Sequence, residues 1–264
     1  MRSVNLKNPR SLLITGASSG IGEALARRYA APGVNLALTA LDADALEAVA
    51  EACRSKGARA QTEVLEITDA SAVKDWVERI DAAHPLDLVI TSAGISGGQA
   101  RDSGKEALLE ADRVMRINFG GTCNTVNPAI SAMRRRGRGQ IALMSSLIAL
   151  RGLPHAPAYC ASKAALKAYG EALGARLRRD GIEVAVIMPG FVDTTLTRHI
   201  EGAKPLQMSA ERAARIIARG LARGRRSIIF PFSLHMGIRL LAMTPTAIAD
   251  RFLARIKVTI RPYQ

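Results

Sequence analysis

An apolar run, Ser11–Thr15, leads straight into Thr15-Gly16-Ala17-Ser18-Ser19-Gly20-Ile21-Gly22, and a segment of helical period follows from Glu23. Few short stretches restrict a fold as much. Glycines permit a tight turn and let a ligand approach the backbone closely, and the helix behind them offers free N–H groups and the positive end of its dipole. Strand, glycine-rich turn and helix in that order make a seat for a pyrophosphate, so Gly16, Ser18, Ser19, Gly20, Ile21 and Gly22 are read as a dinucleotide-binding turn. The spacing is G-x-x-x-G-x-G, which differs from the G-x-G-x-x-G of other dinucleotide folds.

Apolar runs recur along the chain. Strands are expected at Ser11–Thr15, Asn35–Thr39, Arg59–Leu65, Leu86–Ile90, Gln140–Ser145, Glu183–Met188 and Ser227–Phe230. Ala- and Arg-rich segments of helical period lie between them, such as Glu23–Ala31, Ala43–Lys56 and Ser71–Ala83. Such alternation argues for parallel strands joined by crossover helices. The near-continuous apolar strands imply a sheet covered on both faces. The expected fold is therefore α/β, a doubly wound seven-stranded parallel sheet with helices on both faces. With 264 residues, 48% of them hydrophobic, and no repeat or linker-like tract, the chain can bury one full core as a single domain.

Open α/β sheets bind ligands at the carboxyl ends of their strands, so the residues found there carry the functional reading. The second strand ends in Thr39-Ala40-Leu41-Asp42. An acidic residue at that point bonds the ribose of NAD and an arginine accepts the extra phosphate of NADP, and this stretch matches neither pattern. Asp42 could reach a ribose or cap the helix opening at Ala43, Ser18 or Ser19 could hold a phosphate, and the cofactor choice stays open. The fourth strand runs into Thr91-Ser92-Ala93-Gly94-Ile95 and the fifth into Ser145-Ser146. Asn118 falls inside an apolar helical pattern, where a buried amide needs partners. Tyr159 and Lys163, four apart, share one helix face; a nearby ammonium favours phenolate and lowers a phenol pKa of about 10, which suits general acid–base work. Taken singly, each has an ordinary alternative: a strand-to-loop turn, a strand-end serine, a solvated helix face. His155 is read as a loop histidine or a substrate contact.

Together and in this order, Thr15–Gly22, Ser92-Ala93-Gly94, Asn118, Ser146, Tyr159-x-x-x-Lys163 and Pro189-Gly190 with Thr194 resemble the single-domain branch of the short-chain dehydrogenase/reductase family, from about residue 10 to about 195. The resemblance implies a Rossmann-type fold and an oxidoreductase moving a hydride between NAD or NADP and a carbonyl or secondary alcohol. Tyr159 would be general acid in reduction and base in oxidation. Lys163 would lower its pKa and bond the nicotinamide ribose, Ser146 would hold the substrate oxygen, and Asn118 would anchor a relay water. Gly16, Ser18, Ile21 and the adjoining turn would contact the cofactor diphosphate and ribose, with Ala93 and Gly94 nearby. Ile67 would lie over the adenine, and Pro189, Gly190, Val192 and Thr194 would meet the nicotinamide end. Three departures stand out: Thr91-Ser92 replaces a usual pair of asparagines, Glu66 a common aspartate, and Leu41 and Ala40 the residues that normally declare the cofactor. Residues 1–230 are expected to form the catalytic unit, with a substrate lid at about 191–208, and residues 231–264 a helical extension of the same domain.

A net charge of +14 permits binding to nucleic acid, an anionic membrane or an anionic cofactor without choosing among them. No nucleic-acid motif is present and aromatics are only 4%, too few for base stacking, so nucleic acid is not an expected partner. Three cysteines, odd in number and without metal-ligand spacing, fit a reducing compartment and no metal site. No signal peptide or spanning run is seen, and the reading is cytoplasmic. Val192, Leu196, Ile200 and Leu206, with Leu147, Ile148 and Leu153, suggest a pocket for a small apolar substrate. Thr244-Pro245 is expected to open a last helix. The basic, apolar tail is read as packing on a pocket or a neighbouring subunit in preference to a membrane surface, and the family resemblance implies a homodimer or homotetramer. A rival reading, a weakly catalytic cofactor sensor or scaffold on the same fold, would be natural if Tyr159 or Lys163 were missing.

Overall fold

The computed structural model of the chain describes residues 8–97, 104–198, 200–253 and 258–260. Seven strands form one sheet: β1 (Ser11–Thr15), β2 (Asn35–Ala40), β3 (Arg59–Val64), β4 (Leu88–Thr91), β5 (Gly139–Met144), β6 (Ile182–Pro189) and β7 (Ser227–Phe230). Their spatial order is β7-β6-β5-β4-β1-β2-β3 and every pairing is parallel, which is the expected doubly wound sheet. The α-helices of eight residues or more are α1 (Gly20–Tyr29), α2 (Ala43–Arg54), α3 (Ala70–Ala83), α4 (Gly104–Met115), α5 (Gly121–Arg136), α6 (Pro157–Leu177), α7 (Ala210–Ala222), α8 (Phe232–Met243) and α9 (Thr246–Leu253).

Side chains alternate across a strand, so β1 sends Leu12 and Ile14 to one face and Leu13 to the other. The first pair joins Leu25 of α1, Leu46 of α2 and Ile217 of α7 in one core layer. Leu13 joins Trp76 and Val77 of α3, Met133 of α5 and Leu173 of α6 in the opposite layer. Both layers are closed to solvent, as parallel strands require.

Register brings the turns singled out in the sequence together. Thr15 pairs with both Thr39 and Thr91, Thr91 pairs with Leu143, and Met144 pairs with Ile187. The segments leaving β1, β4, β5 and β6 therefore emerge side by side along one sheet edge, although they lie far apart in sequence. Between β1 and β4 the crossovers reverse direction, the switch point where doubly wound sheets hold ligands.

Element edges depart from expectation in informative ways. Helix α1 starts at Gly20, not Glu23, because the turn glycines supply its first turn. Strand β4 starts at Leu88, since the Leu86 amide is taken by the Asp81 carboxylate at 2.9 Å. Asn118 lies not in a regular helix but in a π-helical turn, Arg116–Gly120, between α4 and α5. Such turns are rare and often mark functional positions. The expected lid is pinned at its base by a short parallel pairing of Val192–Asp193 with Met208–Ser209. Its Ile200–Gly202 stretch pairs antiparallel with Val258–Ile260 of the tail. No helix among the described residues is long and apolar enough to cross a membrane.

Candidate active site

At the shared sheet edge opens a cleft of about 610 Å³. Gly16 has a φ of +64°, a left-handed conformation that glycine adopts without strain. It lies so close to the β4 turn that a Cβ there would stand 2.7 Å from the Ala93 Cα and backbone N. The turn is thus locked to the next one, and the Ala93 amide donates to Thr15 Oγ1 at 3.2 Å. The residue before α1, Ser19, gives it no side-chain cap, so the first N–H groups of the helix keep their donor capacity. Gly16, Ser18, Ser19, Gly20 and Ile21 line the cleft. Gly22 does not: it is buried, and a Cβ there would collide with the Gly16 carbonyl, so this glycine serves close packing of α1 under the turn.

Leu41, Asp42, Glu66 and Ile67 form one end of the cleft. Of the alternatives left open for Asp42, the helix cap is present, its carboxylate accepting from the Ala45 amide at 3.0 Å. Leu41 is 65% exposed. The cationic side chains that line the cleft, among the described residues, are Arg113 and Lys163, and Arg113 pairs with Glu110 at 3.6 Å. At the other end stand Pro189, Gly190, Val192 and Thr194.

Tyr159 and Lys163 project from the first turns of α6, which opens on Pro157 at a position where its missing N–H costs nothing. Both line the cleft together with Ser146. The Lys163 ammonium lies 5.5 Å from the centroid of the Tyr159 ring, within cation–π range. It donates to the Met144 carbonyl at 2.9 Å, and Ser145 Oγ donates to the Lys163 carbonyl at 2.7 Å, so β5 clamps α6 at this residue. Lys163 is 5% exposed, and burial pushes its pKa down to about 8. Ser146 holds looser bonds, accepting from the Ile148 amide and donating to the Pro189 carbonyl, both at 3.4 Å.

Asn118 is fully buried and does not line the cleft. Its Oδ1 accepts from the Ile95 amide at 2.8 Å, and its Nδ2 donates to the Ile95 carbonyl and to Ser162 Oγ, each at 2.9 Å. Gly94 separates it from Lys163: a Cβ there would sit 2.9 Å from Asn118 Oδ1 and 3.5 Å from Lys163 Nζ. Ser162, Ser145 and the Met144 carbonyl escaped the sequence reading. The only hint for Ser162 was a small polar residue three after Tyr159, on the inward side of a helix.

Among the apolar residues expected around a substrate, Leu196 lines the cleft, and Ile148, Leu153 and Ile200 pack, as Tyr159 does, against the small cluster of Ala156 and Cys160. Leu147 and Val192 are buried in core clusters. Leu206 is an exception: it is 55% exposed, in a turn at a positive φ of 56°.

The family model for short chain dehydrogenase matches residues 10–204. An uncharacterized oxidoreductase of Myxococcus xanthus is 32% identical over 250 residues, covering 94% of this chain and 98% of the relative. An 11-beta-hydroxysteroid dehydrogenase-like 2 of Arabidopsis thaliana is 36% identical over 230 residues, 83% of this chain and 73% of that protein. A solved short-chain dehydrogenase from Sphingobium yanoikuyae, in complex with NADPH, superposes with a TM-score of 0.76 at 24% identity, covering 94% of this chain and 96% of that one, a likeness of fold. With the sheet order, the glycine turn and the Tyr159–Lys163 pair already in place, these matches make the chain a member of the short-chain dehydrogenase family.

Proposed function

We propose that the protein is an NAD(P)-dependent oxidoreductase that interconverts a carbonyl compound and a secondary alcohol, with Tyr159 as the proton donor and acceptor. The observation that carries this reading is the Lys163 ammonium 5.5 Å over the Tyr159 ring, in one cleft with Ser146 and the glycine turn. The cleft fits a dinucleotide: uncapped N–H groups open α1, and the glycine turn that precedes them lines the same cleft. Ser18, Ser19, Gly20 and Ile21 would hold the diphosphate, Ile67 and Leu41 the adenosine end, and Ala93, Gly94, Pro189, Gly190, Val192 and Thr194 the nicotinamide half. When bound, the nicotinamide supplies or accepts the hydride.

This chain's own residues handle the proton and the oxygen. In reduction the Tyr159 hydroxyl gives its proton to the carbonyl oxygen; in oxidation the phenolate takes it back. Lys163, protonated below a pKa of about 8, favours the phenolate left behind. Ser146 can exchange its two long bonds for one to the substrate oxygen as negative charge develops there. Asn118 acts at one remove, fixing the Ile95 backbone and Ser162. Leu196 in the cleft, with Ile148, Leu153 and Ile200 on the same small apolar cluster as Tyr159, favours an apolar substrate.

Replacing Tyr159 by Phe should lower turnover by about 100- to 10,000-fold across a panel of carbonyl substrates, whereas fluorescence titration with NADH and NADPH stays unchanged. Undiminished turnover in that variant would overturn the mechanism.

A further inference from the structure

Helix α8 carries two apolar faces, and only one of them is covered. Leu234 and Ile238 pack against Leu147, Val186 and Met188. Phe232, Met236, Leu240 and Met243 follow at steps of four, four and three, which stacks them on a single stripe turned away from that contact. They are 73%, 39%, 61% and 80% exposed, and Ile248 of α9 adds another at 62%. Single surface leucines are ordinary; a bare row on a helix anchored by its other face is an interaction surface.

The segment that carries the stripe is strongly basic in sequence. Residues 231–264 contain one acid, Asp250, and it pairs with Arg151 at 3.0 Å. Against it stand Arg239, Arg251, Arg255, Lys257 and Arg261 in the sequence, and Arg239 is exposed within one turn of both Met236 and Met243. The whole chain carries +14, so two copies meeting face to face across this stripe would bring like charges together. An anionic lipid surface takes up the apolar row and the cations at once.

We propose that α8 docks flat on an anionic membrane surface, its stripe at the boundary of headgroups and acyl chains and Arg239 level with the phosphates. The covered face of the same helix abuts the cleft, since a Cβ at Gly190 would stand 3.0 Å from Leu234. Docking therefore sets that end of the cleft beside the lipid, which, if the activity proposed above holds, is where an apolar carbonyl compound would arrive.

Vesicle sedimentation of the full chain tests the docking without reference to turnover. With phosphatidylcholine vesicles containing about 30 mol% phosphatidylserine, the bound fraction should exceed that on pure phosphatidylcholine by about tenfold, and about 0.5 M salt should release it. The variant Phe232→Ser, Leu240→Ser, Met243→Ser should lose about tenfold of this binding while its circular dichroism and cofactor titration match wild type. Wild-type protein left in the supernatant, or equal binding by the variant, overturns the proposal. So does a wild-type dimer that the triple substitution converts to monomer in the absence of vesicles, because the stripe would then be a contact between copies.

Discussion

The Asn118 amide donates to the Ser162 hydroxyl at 2.9 Å, and that hydroxyl donates in turn to the Tyr159 carbonyl at 2.8 Å. A π-helical turn and the first turns of α6, 44 residues apart, are thereby joined directly behind the tyrosine. Ser162→Ala leaves a buried amide hydrogen short of a partner, at a cost of about 1–3 kcal/mol. Thermal denaturation should show that loss. Steady-state kinetics should show a lower kcat with little change in cofactor affinity, because the hydroxyl orients Tyr159 and stands outside the cleft.

Lys163 gives a pH signature. Its pKa is pulled down from 10.5 to about 8 by burial, so between those values the unfolded chain binds more protons at this group than the folded one. Its contribution to stability is thus present above about 10.5 and lost as pH falls toward 8, a difference of the order of 3 kcal/mol. Lys163→Met abolishes the titration and leaves the Met144 carbonyl without its donor at every pH. The melting temperature of wild type relative to this variant should therefore rise as pH is taken from 7 to 10.5. A flat difference across that window would mean that the amine is not desolvated.

Gly16→Ala is expected to fail in two ways. The left-handed φ costs about 1–2 kcal/mol for any residue with a Cβ, and that Cβ would press on the Ala93 backbone, which has no flexible end to yield. Displacement of the β4 turn should weaken binding of NADH and NADPH by about tenfold or more and lower the melting point by several degrees. Titration and calorimetry on one preparation would separate the two effects.

The rim near β2 offers Leu41 and the capping Asp42 and, among the described residues, no cation of its own. Leu41→Arg, at a position already exposed, should leave stability within about 0.5 kcal/mol and strengthen NADPH binding relative to NADH by about tenfold, the worth of a partly solvated Arg–phosphate contact. An unchanged ratio of the two dissociation constants would show that a ribose phosphate does not reach this rim.

Much of the fold was legible because its signals are local. Apolar runs at Ser11–Thr15 and Ser227–Phe230 coincide with strands to the residue, and Thr244-Pro245 does precede a helix. Ends drifted where a side chain captured a backbone group, as Asp81 does at Leu86. The apolar row of α8 was visible as composition, but which face the core would cover was not.

Sequence alone determined the periodicities: the alternation of strand and helix, the glycine spacing after β1, and the four-residue interval that sets Tyr159 and Lys163 on one face. These follow from backbone geometry repeating every two or 3.6 residues, and they survive without knowledge of what packs against them. Tertiary structure decided the rest, because it depends on crossovers and register: that Lys163 meets the Met144 carbonyl, that Asn118 closes on Ser162 and Ile95, and that Leu206 faces outward while Ile200 joins the small cluster against which Tyr159 packs. A buried amine or amide takes whichever partner the fold carries to it, and no local pattern names that partner in advance.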